Sequence, residues 1–369
     1  MKQMSLINLR NVRSADRMAF TLLELLVVIV LIGILLAMFF PSGRRVRLAA
    51  RRANCMNNLR QLSLAALNYE ATHNALPPAI GMPEWHDGPA GENANRLSGL
   101  VHLLPYLEQA SLYDSISQSS SHNDVDYQEF GAAPWDRDFP AWKIQLPAFS
   151  CASANSGPGD FGWTSYAFSI GDQARNIHQI GLTRGPCGTS KGRTLQLIAD
   201  GTSSTILFAE LGASDQQKHL VSQYLANQPD RFLDNPNQFA DRYTASERNR
   251  YPDSAPLAPL GRGRCWADGA GGVSMVNTIL PPNSPNFAVD GEIAADGIYS
   301  AGSFHHGGVQ VAFADGSVHF IDEDIDAGNE SAPTPTAAQM AQPGFASPYG
   351  VWGALGTSAG AEVASAERW

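Results

Sequence analysis

The chain has 369 residues, 44% of them apolar, enough for one large domain or two ordinary ones. Its formal net charge of −10 is unevenly spread: residues 1–60 carry 10 of the 25 Lys and Arg but 2 of the 35 Asp and Glu, leaving 15 against 33 for the rest. A basic start suits an anionic lipid surface, and an acidic remainder with no basic, aromatic-rich patch after Arg60 argues against a nucleic-acid binder.

From Ala19 to Phe40 run 22 residues with one charge, Glu24. A hydrocarbon core of ~30 Å needs roughly 20 apolar helical residues, so this segment is expected to span a membrane. A secretory signal would have a shorter apolar region and a small-residue cleavage site after it, whereas Arg44 and Arg45 follow here. An ionisable residue at this depth is costly unless it is paired or reaches the interface, so Glu24 reads either as a functional charge or as a residue at headgroup depth.

The basic leader (Lys2, Arg10, Arg13, Arg17), then Ala19, then Phe20-Thr21-Leu22-Leu23-Glu24 resembles the class III signal of type IV pilins and type II secretion pseudopilins. That resemblance implies cleavage between Ala19 and Phe20 by prepilin peptidase and methylation of the Phe20 amine. It also implies that Glu24 pairs with the terminal amine of a neighbouring pilin subunit during filament assembly. Ala19 stands where such leaders usually have Gly, which puts efficient processing in question. The implied location is the inner membrane, single-pass, with the N-terminus cytoplasmic and the C-terminal head periplasmic, or at the cell surface after assembly. By the positive-inside count alone, Arg44, Arg45, Arg47, Arg51 and Arg52 would reverse that orientation; the leader's resemblance is given precedence.

Apolar residues at Leu48, Cys55, Leu59, Leu62, Ala66 and Tyr69 make the stripe of a helix packed on a core, predicting one helix from Phe20 to Tyr69 with a kink at Pro41 and Gly43. Asn74 and Pro77-Pro78 stop it. A short helical element is expected over Gly99–Tyr113, and a strand over Trp163–Ile170. Asp200-Gly201 is read as the turn of a hairpin over Thr194–Glu210. A helical hint covers Gln217 to Gln228. Asp315-Gly316 predicts a second hairpin with a two-residue type I′ turn. In that register Phe313 faces Val318 and Val311 faces Phe320, and Val309, Val311, Phe313, Val318 and Phe320 share one face.

His305, nine residues, then Asp315-Gly316 matches the H-X9-DG motif of the DUF1559 family, which carries prepilin-type leaders. Cys55-Met-Asn-Asn-Leu-Arg-Gln-Leu62, Phe149-Ser-Cys151, Thr164-Ser-Tyr166, Pro281-Pro-Asn283 and Trp352–Thr357 also resemble that family, in order. The resemblance implies a pilin-like membrane protein with an enlarged β-rich head. The fold expected is α+β: a long N-terminal pilin-like helix, half transmembrane and half packed, with a mainly antiparallel β head. Its parts are a leader (1–19), a transmembrane half-helix (20–40), a packed half (41–72), a head (73–326, with 212–263 an insertion) and a C-terminal extension (327–369).

His305, His306, Asp315, Ser317 and His319 contain the residue types of a catalytic or zinc site, but Asp315 and Ser317 are what a tight turn wants, and Ser317 lacks a nucleophile-elbow context. The structural hairpin, with His305 hydrogen-bonded to a loop, is favoured. Asp322–Asp326 lacks the Gly and Glu of an EF-hand loop, so no cofactor is assigned and scattered-carboxylate calcium stays an alternative. There is no Walker A loop, His-Glu-x-x-His or Cys-x-x-Cys. No enzyme is therefore expected. Cys55, Cys151, Cys187 and Cys265 allow three disulfide pairings, or four buried thiols. The expected function is a non-enzymatic pilin-like or pseudopilin subunit. The alternative is a membrane-anchored surface module that binds a glycan or protein without polymerising.

Overall fold

A computed structural model describes residues 21–39, 42–86, 94–154, 159–213, 217–244, 249–291 and 293–362. The leader, Ala19, Phe20 and Pro41 lie outside the described residues. The chain divides into two compact units, residues 1–49 and 50–369.

In the first unit, α1 (Leu22–Phe39) is opened by a capping box. The Thr21 hydroxyl accepts the Glu24 N–H at 3.2 Å while the Glu24 carboxylate accepts the Thr21 N–H at 3.0 Å. Its 18 residues rise about 27 Å, and among the described residues no helix is long and apolar enough to cross a membrane. The expected helix from Phe20 to Tyr69 is described as α1 and α2 (Ser42–His73). Leu48 is 63% exposed and does not join the packing stripe.

The stripe holds along the rest of α2, where Cys55, Leu59, Leu62, Ala65, Ala66 and Tyr69 are all buried. α2 ends where expected: Asn74 takes a left-handed φ of +55° and its N–H bonds to the Glu70 carbonyl at 2.7 Å. The expected helical element after Gly99 is α3 (Gly99–Leu103), a 3-10 turn (Leu104–Leu107) and α4 (Ala110–Ser117). Pro105 cannot donate to a continuous ladder, so the helix is broken there. A small hairpin follows, β1 (Ser120–His122) and β2 (Val125–Tyr127), turned by Asn123 and Asp124 at φ +52° and +63°. Asn and Asp tolerate that conformation well.

The centre of the second unit is a five-stranded mixed sheet in the order β5-β3-β4-β8-β9. Its strands are β3 (Tyr166–Ser169), β4 (Ile206–Glu210), β5 (Met275–Val276), β8 (Gly308–Phe313) and β9 (Val318–Asp322). A separate pair, β6 (Phe287–Ala288) and β7 (Gly297–Ile298), lies apart from it. The β3–β5 pair is parallel; the other three pairings of the large sheet are antiparallel. Alternation sends Tyr166, Phe168, Phe208 and Ala312 into the same cluster as the α2 stripe. Ala167, Ala209, Val309, Val311, Phe313 and Ile321 pack with Trp352 and Leu355 of α9 (Gly350–Gly356) on the other. A third apolar cluster joins Leu220, Leu225, Phe232, Phe239, Tyr251 and Phe287. Among the described residues the remaining α-helices are α5 (Arg231–Asp234), α6 (Pro236–Thr244), α7 (Gly271–Ser274) and α8 (Ala337–Met340).

Three expectations are corrected. Thr194–Glu210 is not a hairpin: Leu195–Leu197 is a 3-10 turn with Leu197 58% exposed, and β4 pairs with β3 and β8 instead. Asp200 is diverted to another task, accepting from the Thr357 hydroxyl at 3.0 Å and the Gly360 N–H at 2.7 Å. Gln217–Gln228 is not helical, because Leu225 bridges to both Leu257 and Phe287; the helices there are α5 and α6.

The closing hairpin forms, but one residue out of the expected register. Ala312 pairs with Val318 and Val311 with His319. The Gly316 N–H bonds to the Phe313 carbonyl and the Phe313 N–H to the Ser317 carbonyl, both at 2.9 Å. Gly316 alone of the loop has positive φ, +87°, so the loop is a type I turn closed by a glycine bulge. A type I′ turn would need positive φ at Asp315 as well. The slip turns β9 over. Phe320 now lies under the Arg52 guanidinium at 3.3 Å, and Ile321 joins Val309 and Val311.

Candidate functional site

Four distant segments bring their chemistry to one buried point. α2 supplies Cys55, the loop after the 3-10 turn Pro147–Phe149 supplies Cys151, the last residue of β4 is Glu210, and the loop entering β8 supplies His305. Cys55 and Cys151 are bonded, their Cα atoms 4.8 Å apart across a separation of 96 residues. His305 Nε2 lies 3.5 Å from Cys151 Sγ and 3.2 Å from Glu210 Oε1, with the two side chains 7% and 1% exposed.

Each member is held by its own supports. Glu210 Oε2 accepts the Gln310 N–H at 2.8 Å, where the β4–β8 ladder runs out. Oε1 is buried and takes no well-formed hydrogen bond, since His305 sits at ion-pair distance but outside hydrogen-bond geometry. The His305 N–H bonds to Ser303 Oγ at 3.0 Å, and that hydroxyl donates to the Gly308 carbonyl at 2.7 Å. Asn283, at φ +67°, accepts the Ser303 N–H at 2.9 Å. Asn58 donates to the Pro147 and Ser150 carbonyls, fixing the loop that carries Cys151. The Tyr166 hydroxyl donates to the Cys55 carbonyl at 3.2 Å. Burial, and then the neighbouring Glu210 charge, push the Tyr166 phenol well above its ordinary range, so it stays a donor.

The motif residues thus separate into two jobs. His305 serves the cluster, whereas Asp315 and Gly316 shape the turn beyond the far end of β8, with Asp315 accepting the Ser317 N–H at 2.8 Å. His306, Asp315 and His319 are exposed and do not meet His305. His305 does meet a loop: its Nε2 lies 3.5 Å from Sγ of Cys151, on the loop after Phe149, and beside Glu210 at 3.2 Å. Of the three disulfide pairings, Cys55–Cys151 is made, while Cys187 and Cys265 are buried thiols with pKa raised by burial. The acidic run bonds locally, Asp322 Oδ1 accepting the Asp324 N–H at 3.0 Å and Asp326 Oδ1 the Gly328 N–H at 2.9 Å. Glu24 lies exposed in the capping box of α1.

In the sequence Glu210 reads only as the end of a strand, with no motif around it. The available signal was a carboxylate closing the apolar run Ile206-Leu-Phe-Ala209, a position that burial makes expensive.

Chemically, the cluster sets an imidazole beside a disulfide sulfur and a carboxylate with a free lone pair. The ligand atoms of Cys55, Cys151, Glu210 and His305 all lie within 4.8 Å of one another. Among known proteins, a family model described as "Protein of unknown function (DUF1559)" matches residues 44–328. No curated protein and no solved structure shows a significant match.

Proposed function

The chain belongs to the DUF1559 family, and from that premise we propose that it is a non-enzymatic, pilin-like subunit of the inner membrane. In this reading prepilin peptidase cleaves before Phe20, and Glu24 and α1 assemble the chain into a type II secretion or type IV pilus-like filament. The supporting observation is α1 itself. Each large apolar side chain from Leu22 to Leu35 is at least 42% exposed, and Glu24 is the single charge among them. A helix that is apolar all round requires lipid or protein around it. At about 1.5–3 kcal/mol per large side chain, leaving a dozen in water would cost more than a whole domain's stability. The capping box gives Glu24 a local role, and the nearby terminal amine of a neighbouring subunit would supply the opposite charge that lipid demands.

The deciding experiment is Glu24→Ala in the native cell, read by filament incorporation and by membrane fractionation. The proposal expects membrane insertion retained and incorporation lost. Unchanged incorporation, or a mature N-terminus that mass spectrometry does not place at N-methyl-Phe20, sinks it.

A second reading, a membrane-anchored glycan-binding module, draws on Trp85. Its ring is 40% exposed and stacks on His73 with centroids 4.1 Å apart, at a cleft of about 380 Å³ also lined by Lys191 and Leu197. An exposed indole face of this kind suits a sugar ring. Under that reading Trp85→Ala abolishes glycan retention and Glu24→Ala does not affect function.

A further inference from the structure

We infer that the Cys55–Cys151–Glu210–His305 cluster is a redox-gated zinc site: closed to metal as the disulfide, and a four-ligand zinc site once the disulfide is reduced. The inference is independent of how the chain is anchored or whether it polymerises.

The donor set comes first. Two thiolates, one imidazole nitrogen and one carboxylate oxygen are a complete tetrahedral set for zinc, which takes sulfur at about 2.3 Å and nitrogen or oxygen at about 2.0–2.2 Å. Those bond lengths put ligand atoms roughly 3.3–3.8 Å apart. Here His305 Nε2 already stands 3.5 Å from Cys151 Sγ and 3.2 Å from Glu210 Oε1, and all four donors lie within 4.8 Å of one another. The two sulfurs must separate and the longest donor distance, up to 4.8 Å, must close towards about 3.8 Å; Cys151, on a loop, can yield while Cys55 stays on α2.

Next is the lone pair. Glu210 Oε1 is buried and takes no well-formed hydrogen bond, although its partner oxygen is secured by the Gln310 N–H. A buried carboxylate oxygen left so is costly, and a cation at the cluster centre would satisfy it. The outer supports complete the pattern, since metal ligands are oriented by hydrogen bonds behind them. Gln310 fixes Glu210, Ser303 fixes the His305 backbone, and Asn58 fixes the Cys151 loop.

The chemistry balances with a dithiol as reductant. Its two thiols transfer two electrons and two protons, the Cys55–Cys151 bond breaks to two thiols, and the reductant closes to its own disulfide. Zn²⁺ then displaces both thiol protons to solvent and binds two thiolates, the neutral His305 imidazole and the Glu210 carboxylate, with no change in metal oxidation state.

The test uses the full chain in detergent micelles, oxidised or reduced by a dithiol that is then removed under argon, and titrated with ZnCl₂ or CoCl₂. The reduced chain is expected to take one equivalent of zinc and the oxidised chain none. Cobalt should give the visible bands of a tetrahedral site together with a thiolate charge-transfer band. Glu210→Gln and His305→Ala, checked for folding as disulfides by circular dichroism, should each weaken binding about tenfold or more. A reduced chain that binds no zinc overturns the inference, as does equal affinity in both variants, which would point to Cys187 and Cys265. If a variant does not fold, the wild-type cobalt spectrum decides: without a thiolate band the inference fails.

Discussion

Replacing both Cys55 and Cys151 with Ala should destabilise the second unit by an amount that follows from the loop the bond closes. The half-cystines are 96 residues apart, and the chain-entropy relation gives about 4.7 kcal/mol for such a loop. An unfolding entropy of about 2.1 cal/mol/K per residue over the unit spanning residues 50–369 makes that a fall in Tm of about 7 °C. The urea m-value should rise, because the uncrosslinked unfolded chain exposes more surface. Urea unfolding would be followed by far-UV circular dichroism and by fluorescence of the buried Trp142, Trp266 and Trp352. The double variant is needed because a single one leaves a reactive thiol in the core. Matching midpoint and m-value for wild type and variant, or a wild type indifferent to reductant, would refute the reasoning.

Three further outcomes are expected. Asp172→Asn strands Arg184, whose guanidinium pairs with that carboxylate inside the fold, and should cost about 3–5 kcal/mol in urea unfolding; a loss under 1 kcal/mol would show that the Phe345 carbonyl, 2.9 Å from the guanidinium, suffices as partner. Gly316→Ala, at φ +87°, should cost about 1 kcal/mol in thermal melts, and a neutral result would speak against the glycine bulge. Burial holds His102 neutral in the folded chain, its pKa lowered to about 4 from an ordinary value of 6.5. As pH falls from 6.5 towards 4 the unfolded chain binds a proton that the folded chain refuses, so stability drops by about 1.4 kcal/mol per pH unit from this group. Parallel pH curves for wild type and His102→Gln would contradict that.

The sequence carries some of these features locally and others not at all. The stripe on α2 is legible because several helical turns repeat the same spacing, and each position from Cys55 to Tyr69 packs as the period requires. The last hairpin is legible as a hairpin, but Asp-Gly serves two turn geometries. The choice is made from outside: Asp315 and Ala314 donate their N–H groups to the Thr202 and Thr205 carbonyls at 3.1 and 2.9 Å, tying the loop to the segment before β4. The same holds for Thr194–Glu210, whose two apolar runs invite mutual pairing until β3 and β8 claim the second. The buried cluster has no local signature, since its members stand up to 250 positions apart, from Cys55 to His305. Its supports nevertheless fall on recognisable fragments, Asn58 beside Cys55 and Asn283 after a Pro-Pro pair.

The nine positions between His305 and Asp315 act as a ruler. One end is moored at Ser303 and the cysteine pair, the other at the Thr202 carbonyl, and the six residues of β8 fill most of the gap with alternate side chains aimed at α2 and at α9. Adding one residue would swap every side chain beyond the insertion between the two layers, whereas adding two preserves their parity at the expense of a bulge. Length variants of this segment should therefore fold in steps of two, and the span in the motif reads as a mechanical specification, separate from the chemistry at either end.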